Sequence, residues 1–187
     1  MKRKIGFTAG LLFSLLLQNS LFAQSAPGEG FADVKGVNLL NAGVGLGSYG
    51  LYGTGGLPLT ASFEHGFTKN ISAGVNLGFI QKKYADYWKY TYFIFGARGS
   101  YHFNEVLKIN NPKLDVYGGL GLFYRRYSFN HKAVDGDELD VDYKASGGDV
   151  DFALHAGTRY MFSDKVGAYA ELGYGISPLQ LGISFKL

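Results

Sequence analysis

The chain has 187 residues, a length that favours a single domain, and its content of 47% hydrophobic against 18% charged residues excludes an intrinsically disordered protein. The formal net charge of +3 is accounted for by Lys2, Arg3 and Lys4, because the rest of the chain carries 15 basic and 15 acidic residues. No excess of positive charge is left for binding nucleic acid, and the absence of Cys excludes disulfides, thiolate metal sites and Cys nucleophiles.

The first 23 residues have the layout of a secretory signal peptide: a basic head at Lys2–Lys4, an apolar run densest from Leu11 to Leu17, and the small residue Ala23 at the expected cleavage site. Cleavage after Ser25 or Ala26 is the next choice. The alternative is a membrane anchor, but this run falls short of the roughly 20 apolar residues that a spanning helix needs. We therefore expect residues 1–23 to be a signal peptide and residues 24–187 to form one domain.

From residue 40 onward, apolar residues alternate with small or polar ones in successive segments, a period-two pattern typical of strands with one apolar face. The first segment is less regular than the others. In the third, Val75 and Leu77 alternate with Gly74 and Asn76. In chain order the eight segments are residues 40–47, 57–64, 71–79, 93–103, 114–122, 152–162, 166–174 and 179–187.

The apolar face of these segments is predicted to point outward, toward lipid. An eight-stranded barrel has too little interior space for that many Leu and Phe side chains, whereas a soluble barrel would turn its apolar face inward. Segments of roughly ten residues suit tilted strands that cross a bilayer, and a closed sheet leaves no open edge in lipid. The sequence therefore predicts an all-β fold, an eight-stranded antiparallel up-and-down transmembrane β-barrel.

The connections predict the orientation of this barrel, because short turns of outer-membrane barrels lie in the periplasm and long loops lie outside. Tight turns at 68–70 and 163–165 share one side with the link 104–113, which places both termini in the periplasm. The opposite side carries loops at 48–55, 82–88 and 130–149 and a short turn at 175–178. Aromatic residues at both ends suggest two interfacial girdles: Tyr101, Phe103, Tyr160 and Phe162 below, and Tyr84, Tyr87, Trp88, Tyr90, Tyr124 and Tyr127 above.

The last strand, with Gln180, Gly182, Phe185 and Leu187, resembles the C-terminal signal that is read by the barrel-assembly machinery, although it ends in Leu rather than the commoner Phe. From about residue 30 to its end, the chain resembles the OmpA/OmpX-like family of eight-stranded outer-membrane barrels. Its last segment, residues 159–187, resembles members from Bacteroidetes-type bacteria. The resemblance implies an outer-membrane location in contact with lipid and lipopolysaccharide, and the assembly machinery as a partner during biogenesis.

The candidate functional residues are charged side chains on the polar face, where sign-balanced groups would pair because isolated buried charges are costly. We expect them to form a salt-bridged lumen rather than a gated ion path. The predicted lumen network consists of Glu64, Arg98, Asp115, Arg125, Asp151, Arg159, Glu171 and Lys186. The inward histidines, His102 and His155, leave open a barrel enzyme that modifies lipid A, but no hydrolase-like motif surrounds His102, and no catalytic residue is assigned.

The acidic stretch 135–142 offers oxygen atoms to Ca²⁺, but its spacing does not match an EF-hand loop, so we expect a solvated surface loop. Residues 130–149 are the candidate contact for an extracellular ligand. We expect a monomer without metal or cofactor that has a structural or surface-interaction role in the envelope and is not an enzyme. A small gated porin is the alternative, and a lipid A-modifying barrel is a more distant one.

Overall fold

The structure, a computed structural model, describes residues 33–49, 54–84, 88–131 and 143–187. Eight antiparallel strands form a closed barrel in which neighbours in sequence pair and β1 closes the sheet against β8. The predicted eight-stranded antiparallel up-and-down barrel is thereby confirmed. No helix in the described part of the chain is long and apolar enough to cross a membrane. The strands are β1 Asn38–Leu46, β2 Leu59–Gly66, β3 Ile71–Tyr84, β4 Trp88–His102, β5 Leu114–His131, β6 Tyr143–Met161, β7 Val166–Tyr174 and β8 Leu179–Lys186.

The two faces of the sheet differ in the way that the alternating sequence predicts. On the outside, Leu120 and Leu122 are 66% and 62% exposed, whereas the lumen-facing Asp115 and Arg159 are both 0% exposed. A barrel that hides its charges and exposes its leucines has the opposite polarity to a soluble protein. The predicted signal peptide, residues 1–23, lies outside the described residues.

The barrel is much taller on one side than on the other. The strands β3 to β6 have 14, 15, 18 and 19 residues, whereas β1, β2, β7 and β8 have 8 or 9. The last apolar outward residues of the tall strands are Phe79, Phe93, Tyr124 and Val150, and the sheet continues above them. We call this part the extension; it consists of residues 81–84, 88–92, 125–131 and 143–149.

The extension corrects two predicted loops. Residues 82–84 and 88 of the predicted loop 82–88 belong to β3 and β4, and residues 130, 131 and 143–149 of the predicted loop 130–149 belong to β5 and β6. The register continues without a break, with Lys83 opposite Lys89 and Asn130 opposite Lys144. The prediction stopped early because the outward face becomes polar at this level, although the strands do not end.

The extension also corrects the upper aromatic girdle. By strand alternation Trp88, Tyr90 and Tyr127 lie on the lumen side, where the ring of Phe129 lies 4.8 Å from that of Trp88 and 4.9 Å from that of Tyr90. Of the six residues predicted for this girdle, only Tyr124 is described on the outward side; Tyr87 lies outside the described residues. At the lower end the four predicted residues do face outward, in the ring pairs Tyr101–Phe103 and Tyr160–Phe162.

Candidate functional site in the lumen

Arg98 on β4 is the centre of the buried charges. Its Nη2 atom lies 2.8 Å from Oε2 of Glu171 on β7, and Nη1 donates a second bond of 3.3 Å to Oε1 of the same carboxylate. Its Nε atom lies 3.0 Å from Oε1 of Glu64 on β2. One guanidinium therefore connects three strands across the lumen, with a two-point contact that fixes its orientation.

A second guanidinium, that of Arg159 on β6, lies below the first and is fully buried. Its Nη1 donates to Oδ2 of Asp115, its Nε donates to Oδ1 of Asn41 over 3.2 Å, and its Nη2 lies 3.8 Å from Oε1 of Glu64. The guanidinium carbon lies 4.1 Å from the centre of the Tyr117 ring, a cation–π geometry. Glu64 is thus shared between the two arginines, which joins both clusters into one network.

His102 on β4 completes the network through a chain of hydrogen bonds. Its Nδ1 lies 2.8 Å from Oδ1 of Asp115, and its Nε2 lies 2.9 Å from Oγ of Ser72. Ser72 in turn donates its hydroxyl proton to Oε2 of Glu64 over 2.7 Å, so the chain of contacts links Asp115 to Glu64.

Each buried carboxylate of the network lies against a basic side chain. Arg98 contacts Glu64 and Glu171, and Arg159 and His102 contact Asp115. Isolated buried charges are costly, so these contacts stabilise the centre of the lumen.

Ser72, His102 and Asp115 have the order of a hydrolase triad, which the sequence did not reveal because the strand register was unknown. All three residues are 0% exposed, and the Ser72 hydroxyl donates to Oε2 of Glu64 and also lies 2.9 Å from Nε2 of His102.

The lumen contains a cavity of about 20 Å³ just above Arg98. It is lined by Asn76, His155, Tyr169 and Glu171, and His155 is held by a bond of 2.8 Å between its Nε2 and Oγ of Ser100. A cavity of this volume has room for about one water molecule. It is too small to be a continuous path for a hydrated ion.

An apolar cluster closes the lumen above the charges: Ile80, Ile94, Phe123, Ala153 and Ile176. Ile176 belongs to the predicted short turn 175–178, which folds into the lumen and leaves Ile176 only 6% exposed. Ser177 fixes the turn, since its Oγ lies 2.8 Å from the carbonyl oxygen of Gly47. Gly78 provides the space, because a Cβ atom there would lie 2.8 Å from Cγ2 of Ile176.

A second apolar cluster closes the lower end of the lumen: Val34, Val37, Leu39 and Met161. The segment before β1 is held there by backbone bonds, in which the Val34 amide donates to the Lys69 carbonyl and the Gly36 amide donates to that of Gly66. The lumen therefore has three layers, with paired charges between two apolar clusters. The sequence has no periodic pattern that predicts the closure of either end, because the segment before β1 and the turn 175–178 lie outside the regular strands.

The structure brings together five of the eight charges that were predicted to form a lumen network: Glu64, Arg98, Asp115, Arg159 and Glu171. The other three lie apart. Arg125 is higher, with its Nη1 3.9 Å from Oδ2 of Asp149; Asp151 is at the upper rim and accepts a bond of 2.9 Å from the Tyr174 hydroxyl. Lys186 is partly exposed near the lower end. Alternation in the sequence indicates a side of the sheet for each of these residues, but it contains no information on their height or their partners.

Three residues of the predicted C-terminal assembly signal lie on β8, the strand that closes the barrel, and the fourth, Leu187, directly follows it. Gln180 donates from Nε2 to Oε1 of Glu171 over 3.3 Å, and the Leu187 amide donates to the Asn38 carbonyl over 2.9 Å. Gly182 faces the lumen beside Tyr169, whereas Phe185 is on the outer face. The acidic stretch 135–142 lies outside the described residues, and within the described ones no group of three His, Asp or Glu side chains is placed to hold a metal.

No known protein family and no curated protein matches the sequence. Solved structures do match: the N-terminal β-barrel domain of Pseudomonas aeruginosa OprF has 16% identity and a TM-score of 0.54, covering 82% of this chain and 98% of that one. OprG from the same organism has 12% identity and a TM-score of 0.53, covering 84% and 99%. Neisserial surface protein A has 15% identity and a TM-score of 0.50, covering 80% and 92%. At these identities the likeness extends to the fold alone, and on that ground the chain has the fold of the eight-stranded outer-membrane β-barrels.

Proposed function

We propose that this chain is an exported, monomeric barrel of the outer membrane that does not conduct ions, with a structural role in the envelope and a surface-interaction role on its outer side. The observation that carries the proposal is the closed lumen, in which a network of paired charges lies between two apolar clusters. Such a lumen stabilises the barrel and leaves the extension as the part that is available to partners.

The outward face supports the membrane location. Val75, Leu120 and Phe152 are each more than half exposed, and with Leu77, Phe95 and Leu154, which are 46 to 52% exposed, they form an outward surface that we call the apolar belt. Water would not favour so much contiguous apolar surface, whereas the hydrocarbon region of a bilayer does. The signal-peptide pattern of residues 1–23 and the C-terminal strand from Gln180 to Leu187 agree with export and assembly in the outer membrane.

The orientation follows from the lengths of the connections. The turns at 68–70 and 163–165 lie at the low, even end of the barrel together with the start of β1 and the end of β8. Short turns of bacterial barrels lie in the periplasm, so both ends of the barrel domain are periplasmic and the extension is extracellular. Of the proposed ligand contact 130–149, the described residues 130, 131 and 143–149 belong to the extension, which an extracellular ligand would meet first.

Conduction would require the buried pairs to separate. A path past Arg98 breaks its contacts to Glu64 and Glu171, and breaking one partner from a buried pair costs about 3 to 5 kcal/mol. Ile176 would also have to leave the upper cluster. The gated-porin alternative therefore requires two coupled rearrangements, whereas the closed barrel requires none.

Recording from single barrels in planar bilayers tests the proposal. We expect no steady conductance from the wild-type protein, and measurable conductance from the variant Arg98→Ser/Glu171→Ser/Ile176→Gly, which empties the centre and the upper cluster while preserving charge balance. Conductance from this variant would show that the barrel inserts in the bilayer, so that an absence of conductance from the wild type can be attributed to its closed lumen. Steady, ion-selective conductance from the wild type would contradict the closed-barrel proposal.

The enzyme alternative is favoured by one observation, the order Ser72–His102–Asp115, and opposed by the complete burial of all three residues. Mass spectrometry of lipid A from cells with and without the protein separates the two. We expect identical acyl chains in both; a change that disappears in Ser72→Ala would reverse this ranking.

A further inference from the structure

The outward face of the extension carries a group of basic side chains directly above the apolar belt: Lys83, Lys89, Arg126 and Lys144, which we call the cationic strip. All four are exposed. We propose that the cationic strip binds the phosphate groups of glycolipid headgroups in the outer leaflet. The inference deepens the proposed function and rests on its orientation, with the extension outside the cell.

The register of the sheet places the four residues close together. Lys83 lies directly opposite Lys89, and Lys89 and Lys144 both lie opposite Asn130, so the three lysines form one row across β3 to β6. With strands about 4.8 Å apart, this row is about 14 Å wide. Arg126 lies nearer the belt, opposite Phe93 and Gly148.

No carboxylate neutralises the strip within the described residues. The other outward side chains of the extension are neutral, namely Gln81, Thr91, Ser128, Asn130 and Ser146. The one described acidic residue of the extension, Asp149, lies on the lumen side beside Arg125. Like charges directly opposite each other on a sheet repel, so the pair Lys83 and Lys89 gains stability when an anion lies between them.

The height of the strip identifies the source of the anion. Arg126 is the first outward residue beyond Tyr124, about 7 Å along the strand, and the lysines lie about 13 Å beyond Phe79 and Phe93. On strands tilted by about 40°, these distances correspond to roughly 5 to 10 Å above the hydrocarbon region. This is the layer of lipid headgroups, and the strip faces sideways into it instead of toward the medium.

The face on the other side of the same strands has different chemistry. Trp88, Tyr90 and Tyr92 lie on the lumen side, away from the lipid, whereas the cationic strip lies on the side that the headgroups contact. Lys82 and Lys83 are neighbours in sequence at the same height, but they lie on opposite faces. This pair provides a matched comparison of position at constant residue type.

The binding experiment uses the full mature chain in phosphatidylcholine nanodiscs, titrated with diphosphorylated lipid A or with chemically dephosphorylated lipid A. We expect the wild type to prefer the phosphorylated lipid. The variant Lys83→Gln/Lys89→Gln/Lys144→Gln should weaken this binding by roughly five-fold per charge removed, the effect of one basic residue near an anionic surface. Lys83→Gln should weaken binding more than Lys82→Gln.

A control variant, Lys82→Gln/Lys108→Gln/Lys113→Gln, removes the same number of charges away from the strip and should bind lipid A as the wild type does. Heat-modifiable migration on SDS gels verifies that each variant is folded. Equal losses in the strip and control variants, no preference for the phosphorylated lipid, or full competition by millimolar inorganic phosphate would each overturn the proposal. Labelling of Lys144→Cys on intact cells separately tests the orientation; failure there would refute the proposed topology while leaving lipid A binding in nanodiscs unaffected.

Discussion

The four tall strands pass through two regions with opposite chemistry. In the barrel, charges face inward and apolar side chains face outward; in the extension, aromatic rings face inward and the cationic strip faces outward. The change occurs within two residues, between Phe93, which is 46% exposed, and Thr91 on the same face of β4. Side chains continue to alternate between the two faces at this point. What changes is the polarity of each face, because the environment that each face contacts is different.

The comparison implies that charge is structural in one region and dispensable for folding in the other. Arg98 contacts two carboxylates in the buried lumen, whereas Lys89 is exposed on the extension. Both side chains are cations, but removing Arg98 leaves two buried carboxylates without a main partner, whereas removing Lys89 leaves no buried charge behind. The predictions below use this contrast to test where the boundary lies.

The largest effect is expected for Arg98→Ala. The change leaves Glu64 and Glu171 buried without their main partner, which costs about 3 to 5 kcal/mol of unfolding free energy. The matched change Lys89→Ala in the extension should stay within about 0.5 kcal/mol. Urea unfolding in lipid vesicles, followed by the heat-modifiable band shift, measures both values. A loss below about 1 kcal/mol for Arg98→Ala would show that the network adds little to stability.

The second prediction moves a new charge along the outward face of β5. Leu120→Arg places a cation in the middle of the apolar belt and should cost about 2 to 4 kcal/mol, whereas Ser128→Arg in the extension should cost close to nothing. Both side chains start on the same face of the same strand, so the variants differ only in height. Equal stabilities in vesicles would mean that the belt is not in contact with lipid, and the membrane location would then fail.

The same boundary explains how much of the fold could be predicted. In the barrel the period-two pattern indicated all eight strands and the side to which Glu64, Arg98, Asp115, Arg159 and Glu171 point. Above this level the outward face becomes polar, and in β4 and β5 the inward face becomes aromatic. A search for an apolar outward face therefore ended at Phe79 and Phe93 and treated the extension as loops. An alternation test that is blind to which face is apolar would have followed Tyr90, Tyr92, Tyr127 and Phe129 upward.

The contacts within the lumen could not be predicted, for a different reason. Alternation places Ser72, His102 and Asp115 on one face of three strands, but a shift of two residues in register would preserve that face and separate the three. Register depends on the pairing of whole strands and on the turns, such as 68–70, that connect them. The two closing clusters depend on segments 33–37 and 175–178, whose sequences have no period.

The smallest effect is expected at one of these segments, for Ile176→Ala. The side chain is 6% exposed and packs against Ile94 and Phe123, so removing it should cost about 2 kcal/mol, the low end for a buried isoleucine, because the turn at the rim can relax into the space. Tyr127→Ala in the extension, where the side chain is 38% exposed, should cost less than about 1 kcal/mol. Unfolding in vesicles compares the two. A larger loss of unfolding free energy for Tyr127→Ala would mean that the aromatic face of the extension is a second core and not a surface. The boundary between the two regions would then lie above Tyr127 instead of below it.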